Sequence, residues 1–486
     1  MHKKTIIDLH DDLVNKRISP KELIDSSIKH MEEVNGKLNA INSFCEISDY
    51  DIDSDSYLAG IPYAMKDLAA TKDILTTSSS HSLENFIPPF SATIYNKFSD
   101  CKAKMVVKSN LDEYGMGGLN INSIYGRTHN PYNLQRGTGG SSGGSVALVA
   151  AGCVPFATGT DTGDSVRRPA AYCGVYGFKP TWGVISRYGI FPYASSYDHT
   201  GVFTRCVDDI AILMEELNGP DENDPTTMTH PKEYFFKDLK PTDKKLKIGY
   251  LKELIESFDN ELVLKQFDET VEYLKSLGHE VVEVNISKDI LRCNRGSYHI
   301  ITNVEGASNL ANLNGIGFGE RVTGDSVDDS IIKSRSYGLS KYSIARLVIG
   351  PMSSLEANRE KYYIQAKKVR RLIINEFDRI YKDVDILVAP ANNSAAYDPA
   401  VTVEMSDDAR LIAENHLSIG NAIGAPSITI PTHFDDEGLP YAMTFMAKPY
   451  DDQLVLDFAK QFENGLLKEN YLGLQSFYNV YAKEVK

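Results

Sequence analysis

The sequence predicts an α/β fold, one large domain on a central, mostly parallel mixed sheet covered by helices on both faces. Three observations point there. Short apolar runs that end in polar, glycine- or serine-rich loops alternate with amphipathic segments along all 486 residues. Apolar residues make up 42% and charged residues 24%, ordinary globular values that exclude a disordered or fibrous chain. No apolar run approaches the roughly 18 residues needed to span a bilayer.

The elements follow in order. Ser19-Pro20-Lys21-Glu22 is a capping box with proline at the first helical position. Leu23, Ile24, Ile28, Met31 and Val34 then recur near helical spacing and predict a packing helix. Residues 61–65, 105–107 and 154–158 read as strands that end in polar loops, where α/β proteins commonly present reactive groups. Residues 219–244, rich in Pro, Asp and Thr, read as a surface connection. A strand at 246–251, a helix at 262–277 capped by Gly278 and a strand at 280–284 come next. A long helix at 355–381 leads into a buried strand at 384–389. Strands at 427–430 and 441–446 and a helix at 453–462 close the chain. We divide the single domain, 1–486, into an N-terminal helical segment (1–59), a catalytic core (60–210), an inserted middle region (211–330) and a C-terminal part (331–486).

With 51 Lys and Arg against 66 Asp and Glu, the formal charge is −15. That argues against nucleic acid or an anionic membrane as the main direct partner. Cys45, Cys101, Cys153, Cys173, Cys206 and Cys293 are scattered, without a C-x-x-C pair or zinc-ligand spacing. They read as buried free thiols in a reducing compartment. The N-terminus carries acids where a secretory apolar region would stand, so a cytoplasmic location is expected.

Residues 137–145 read Gly-Thr-Gly-Gly-Ser-Ser-Gly-Gly-Ser. A phosphate-binding P-loop would end in Gly-Lys-Ser/Thr, and no lysine is present; a dinucleotide fingerprint fails in register. A flexible linker would lack the apolar run 146–151 that follows. Serine hydroxyls presented on a tight turn at a helix N-terminus remain. The run also matches G-x-S-x-G at 139–143, which a glycine-serine run produces by chance. That motif needs a downstream acid and then a histidine, and His199 reads as an ordinary loop residue. A second cluster, 160–170, follows the strand at 154–158 and can expose Ser165 together with several backbone N–H groups. The competing reading is a structural turn whose serine bonds its own backbone.

Gly139-Gly-Ser141-Ser-Gly-Gly-Ser145, the 160–171 cluster and Gly174-Val-Tyr-Gly-Phe-Lys-Pro-Thr181 resemble the amidase signature family. Gly60-Ile-Pro-Tyr-Ala-Met-Lys66-Asp67 resembles its lysine segment. The spacings fit as well, with Ser141 75 residues after Lys66 and Ser165 24 after Ser141. Within the family, residues 112–118, 186–189, 194–198, 305–310 and 384–390 are similar to the A (glutaminase) subunits of tRNA-dependent glutamyl/aspartyl amidotransferases.

The resemblance implies a Ser–Ser–Lys triad. Ser165 is the nucleophile, Ser141 the bridging serine and Lys66 the base, with an oxyanion hole from Thr162, Gly163, Asp164 and Ser165. For substrate it implies Arg346 on a glutamine α-carboxylate, Glu414 on the α-amine, and Tyr298, Met116 and Gly117 lining the pocket. Two positions depart from the pattern. Asp164 stands where the family has glycine, and Glu414 where it has aspartate. The turn tolerates Asp164 if its side chain points to solvent. The implied activity is glutamine hydrolysis that supplies ammonia to amidate Glu-tRNA(Gln), and Asp-tRNA(Asn) as a further substrate. B and C subunits are the implied partners, with ATP, Mg and tRNA held there, since this chain has no P-loop. A stand-alone amidase and a degenerate scaffold disabled at Asp164 are the alternatives.

Overall fold

A strand buried on both faces is built mainly from apolar residues, and the strands flanking the serine clusters start as such runs and end in buried polar side chains. In the computed structural model, which describes residues 3–227, 230–399 and 408–469, eleven strands of the described residues form one sheet. They are β1 (Ile41–Phe44), β2 (Pro62–Lys66), β3 (Lys104–Ser109), β4 (Phe156–Asp161), β5 (Tyr176–Lys179) and β6 (His199–Thr204). Then come β7 (Lys247–Leu251), β8 (Glu280–Val284), β9 (Ile386–Pro390), β10 (Ser427–Phe434) and β11 (Pro440–Ala447). Across the sheet the order is β1-β3-β2-β4-β6-β5-β10-β11-β9-β7-β8.

The sheet is mixed, as expected. Parallel pairing lies in two groups, β3-β2-β4 and β9-β7-β8. Between them the pairs are antiparallel, as is β1 against β3. The central antiparallel part includes the β10–β11 hairpin, whose turn places Gly438 at φ +78°. Every strand and helix expected from the sequence is present, with ends displaced by a few residues. The capping box forms as read, with Ser19 Oγ accepting from Glu22 N at 3.2 Å at the start of helix Pro20–Leu38. The long helix is interrupted by a π-helical turn at Glu360–Ile364. Residues 219–244 carry only the 3₁₀ turn Pro225–Thr227 among the described residues.

Strand pleating sends alternate side chains into different cores. Tyr63, Met65, Phe156, Val202, Ile428 and Phe445 pack on one face with helices Val207–Leu217 and Asp452–Glu469. Ala64, Ala157 and Phe203 point the other way, against Pro20–Leu38 and Gly143–Ala150. Further along the sheet, Leu387 and Tyr441 pack with helices Lys288–Asn309, Lys341–Ser354 and Gln365–Ile380. Five cysteines are buried and free as expected; Cys293 differs, being exposed on helix Lys288–Asn309. No helix of the described residues is long and apolar enough to cross a membrane.

Phe156 stacks on Tyr63 at 5.1 Å between ring centroids and lies 5.3 Å from Phe98, with no exposure. Phe156→Ala should cost about 3–5 kcal/mol through lost burial and the cavity left behind. Urea unfolding should show a lower midpoint with unchanged far-UV dichroism before the transition.

Candidate active site

β2 and β4 are parallel neighbours, so their C-terminal ends meet at one edge of the sheet. Lys66 is the last residue of β2, and the Thr162–Ser165 turn leaves the end of β4. Ser141 and Ser142 precede helix Gly143–Ala150, which packs over both strands. Lys66 and Ser141, 75 positions apart, are thereby brought into contact, and the Ser165 turn leaves the same edge of the sheet. The glycines allow the approach. A Cβ on Gly140 would lie 2.2 Å from the Asp112 carboxylate, and one on Gly144 2.4 Å from the Ala40 carbonyl. The Gly140–Ser141 peptide bond is cis.

Lys66 is 2% exposed. Its Nζ lies 2.8 Å from Ser141 Oγ, 2.9 Å from Ser142 Oγ and 2.7 Å from Thr160 Oγ1. Burial lowers its pKa from 10.5 to about 7, against the pull of Asp112, Asp161 and Asp198. A neutral amine has two N–H donors and one lone pair. Ser142 Oγ gives its own proton to the Thr160 carbonyl at 3.3 Å, so it accepts from Lys66. Donation to Ser142 and Thr160 leaves the lone pair for the Ser141 hydroxyl. That arrangement can accept a proton from Ser141. Ser142 and Thr160 complete the hydrogen bonds of the Lys66 amine and were not singled out from the sequence, where a lone hydroxyl gives no signal.

Ser165 is 4% exposed, in a turn folded around the Asp161 carboxylate. Asp161 Oδ2 accepts from Val166 N at 3.0 Å, and Oδ1 from Arg167 Nη2 and Asn421 Nδ2, each at 2.9 Å. Burial alone would raise the Asp161 pKa, but Arg167 outweighs it and holds the carboxylate well below its usual range. Among the described residues, no hydrogen bond uses the backbone N–H groups of Thr162, Gly163, Asp164 or Ser165. They are open to an anionic oxygen. Asp161, Arg167 and Asn421, which brace the turn, were not read from the sequence either.

The expected substrate residues fall on two sides of this turn. Tyr298, on helix Lys288–Asn309, covers Gly163 so closely that a Cβ there would lie 3.0 Å from its ring. Arg346 donates to Tyr193 Oη at 2.8 Å and Tyr342 Oη at 2.5 Å, and Tyr193 also lines the cavity described below. Met116 is fully buried, and Gly117 lies against Asp112, where a Cβ would be 2.2 Å from the carboxylate carbon. Glu414 is already engaged, because its Oε2 accepts from Arg168 Nη1 at 2.8 Å. Asp164 differs from expectation. Its side chain, 24% exposed, does not point freely into solvent: the carboxylate accepts from Arg168 Nε at 2.6 Å. His199, expected in a loop, opens β6 and is buried, with burial holding its pKa well below 6.5. A cavity of about 300 Å³ opens beside Thr160 and Thr162 and is lined further out by Tyr193, Asp198 and Arg187.

If Lys66 is the base, its neutral form must build up as pH rises through about 7. Labelling of Ser165 by a fluorophosphonate should therefore rise about tenfold per pH unit below that value and level above it. Thr160→Val, which frees one N–H of Lys66, should slow labelling about tenfold at pH 8.

Comparison with known proteins places this geometry. Residues 22–456 match the Amidase family model. The chain is 36% identical over 477 residues to the A subunit of glutamyl-tRNA(Gln) amidotransferase from Halothermothrix orenii, covering 96% of this chain and 98% of that protein. It is 37% identical over 412 residues to the same subunit from Mycoplasma genitalium, covering 84% and 86%. The crystal structure of the Thermotoga maritima counterpart, again the A subunit of glutamyl-tRNA(Gln) amidotransferase, superposes with a TM-score of 0.80 at 31% identity, covering 95% of each chain. A bacterial aryl acylamidase shares the fold, with a TM-score of 0.82 at 23% identity. The matched family model, the relatives and the shared fold together establish that this chain belongs to the amidase family.

Proposed function

We propose that the chain is the glutamine-hydrolysing A subunit of a tRNA-dependent amidotransferase. The observation that carries this reading is the buried Lys66 amine, 2.8 Å from Ser141 at the edge where the Ser165 turn emerges. The similarity supports the amidotransferase over a stand-alone amidase. Identity to the two amidotransferase relatives is 36–37% over most of the chain, against 23% to the aryl acylamidase.

In this mechanism Lys66 draws a proton from Ser141, and Ser141 draws one from Ser165 as its Oγ attacks the glutamine side-chain carbonyl. The C–O bond to Ser165 forms, and the N–H groups of the Thr162–Ser165 turn receive the oxyanion. The C–N bond then breaks as the proton returns through Ser141 to the leaving nitrogen, releasing ammonia. Water attacks the acyl ester by the same proton route, freeing glutamate and Ser165. Arg346 pairs with the α-carboxylate, a geometry that suits a guanidinium fork. This reading assigns Tyr298, Met116 and Gly117 to the surroundings of the pocket, and to the α-ammonium the acid Glu414, which also accepts from Arg168.

Ammonia passes to a B subunit that holds tRNA and ATP with Mg, and a small C subunit completes the assembly in the cytoplasm. A net charge of −15 suits a subunit that handles an amino acid and leaves the polyanion to its partner.

Coexpression with candidate B and C chains should yield a stable complex that converts Glu-tRNA(Gln) in the presence of glutamine and ATP. Ser165→Ala in that complex should lower glutamine hydrolysis by about 10⁴–10⁶, while free ammonia still supports amidation. A wild-type complex without glutamine hydrolysis overturns the reading.

A further inference from the structure

Asp164 puts a carboxylate between two N–H donors of the proposed oxyanion turn. Left free, that charge would oppose the negative charge that develops on the substrate oxygen. Arg168, four residues on and 7% exposed, takes it up. Arg168 N donates to the Asp164 carbonyl at 2.9 Å, and Arg168 Nε to the Asp164 carboxylate at 2.6 Å. The rest of the guanidinium turns to Glu414. Nη1 donates to its carboxylate at 2.8 Å, and Nη2 to its backbone carbonyl.

The position of Glu414 gives this cluster its meaning. The next residue, Asn415, receives a hydrogen bond from Asn294 at 3.1 Å. Asn294 lies one helical turn before Tyr298, whose ring covers Gly163. The cluster therefore spans from the nucleophile turn to the segment packed on the Tyr298 helix. Two carboxylates and one guanidinium carry a net charge of −1, which is what Glu414 would present alone.

We propose that Arg168 is a positioning and specificity-determining residue that holds the Asp164 carboxylate off the oxyanion turn and leaves the cluster one negative charge for a substrate ammonium. The inference rests on the glutamine reading for its substrate half; its oxyanion half needs only a reactive Ser165. Asp164 and Arg168 thus act as a matched pair. Losing the cation exposes the oxyanion turn to a free carboxylate. Losing the acid leaves Arg168 and Glu414 neutral together, with no charge for the ammonium.

The test uses the assembled complex with two readouts, the rate of Ser165 labelling by a fluorophosphonate and the KM for glutamine. Arg168→Gln should slow labelling at least tenfold. Asp164→Gly should raise the KM for glutamine at least tenfold. The double variant should bring both values to within about threefold of wild type, which two independent structural lesions would not do. Labelling of Arg168→Gln at the wild-type rate, or a double variant as impaired as either single one, overturns the proposal. The double variant decides the matter even if Arg168→Gln alone fails to fold, because the pair then leaves together. If the complex hydrolyses no glutamine, the function proposed above fails, while the labelling arm still judges Arg168.

Discussion

The Lys66 amine ends a strand buried on both faces, touching three hydroxyl oxygens and, among the described residues, no carboxylate within ion-pair distance. Most of the site's chemistry depends on that. Removal from water disfavours the ammonium, and hydroxyls satisfy its hydrogen bonds without supplying a counter-charge. A carboxylate at contact distance would keep the lysine charged and useless as a base. The nearest acids are occupied elsewhere. Asp161 is held by Arg167, and Asp112 by the backbone N–H groups of Asn120 and Asn122.

Other buried charges brace the same edge of the sheet. Lys108, on β3, lies 3.6 Å from Asp67, the residue after Lys66, and donates to Thr71 and Thr76 at 3.1 Å each. Arg167 ties the Ser165 turn to the Leu417 carbonyl at 2.7 Å and Asn421 at 2.6 Å. Removing one partner of such a pair would strand a charge in the interior, so these contacts specify one arrangement more than they add stability. The turn is thereby fixed before any substrate arrives, which an oxyanion site requires.

Much of this was legible in the chain. Helix Pro20–Leu38 declares itself through its capping box, and β2, β3 and β4 through short apolar runs ending in polar loops. Lys66, Ser141 and Ser165 were legible only as a constellation, from separate motifs at fitting distances. Thr160 and Ser142 were not, because their role comes from where a lysine distant in the chain places its nitrogen. Asp164 was visible as a departure, but its orientation was not. Expected in solvent, it turns to Arg168 because that guanidinium, itself buried, needs a counter-charge.

By itself, the sequence determined the element types, the α/β class and the order of the motifs that carry Lys66, Ser141 and Ser165. These rest on local periodicity, on glycines where backbones must approach, and on residue chemistry. The tertiary structure alone decided the strand order, the antiparallel centre of the sheet, the hydroxyl cage around Lys66 and the bridge from Asp164 through Arg168 to Glu414. Those depend on contacts between residues as far apart as 250 positions, such as Arg167 with Leu417, and on burial, which sets the protonation of Lys66 only after the chain has closed around it.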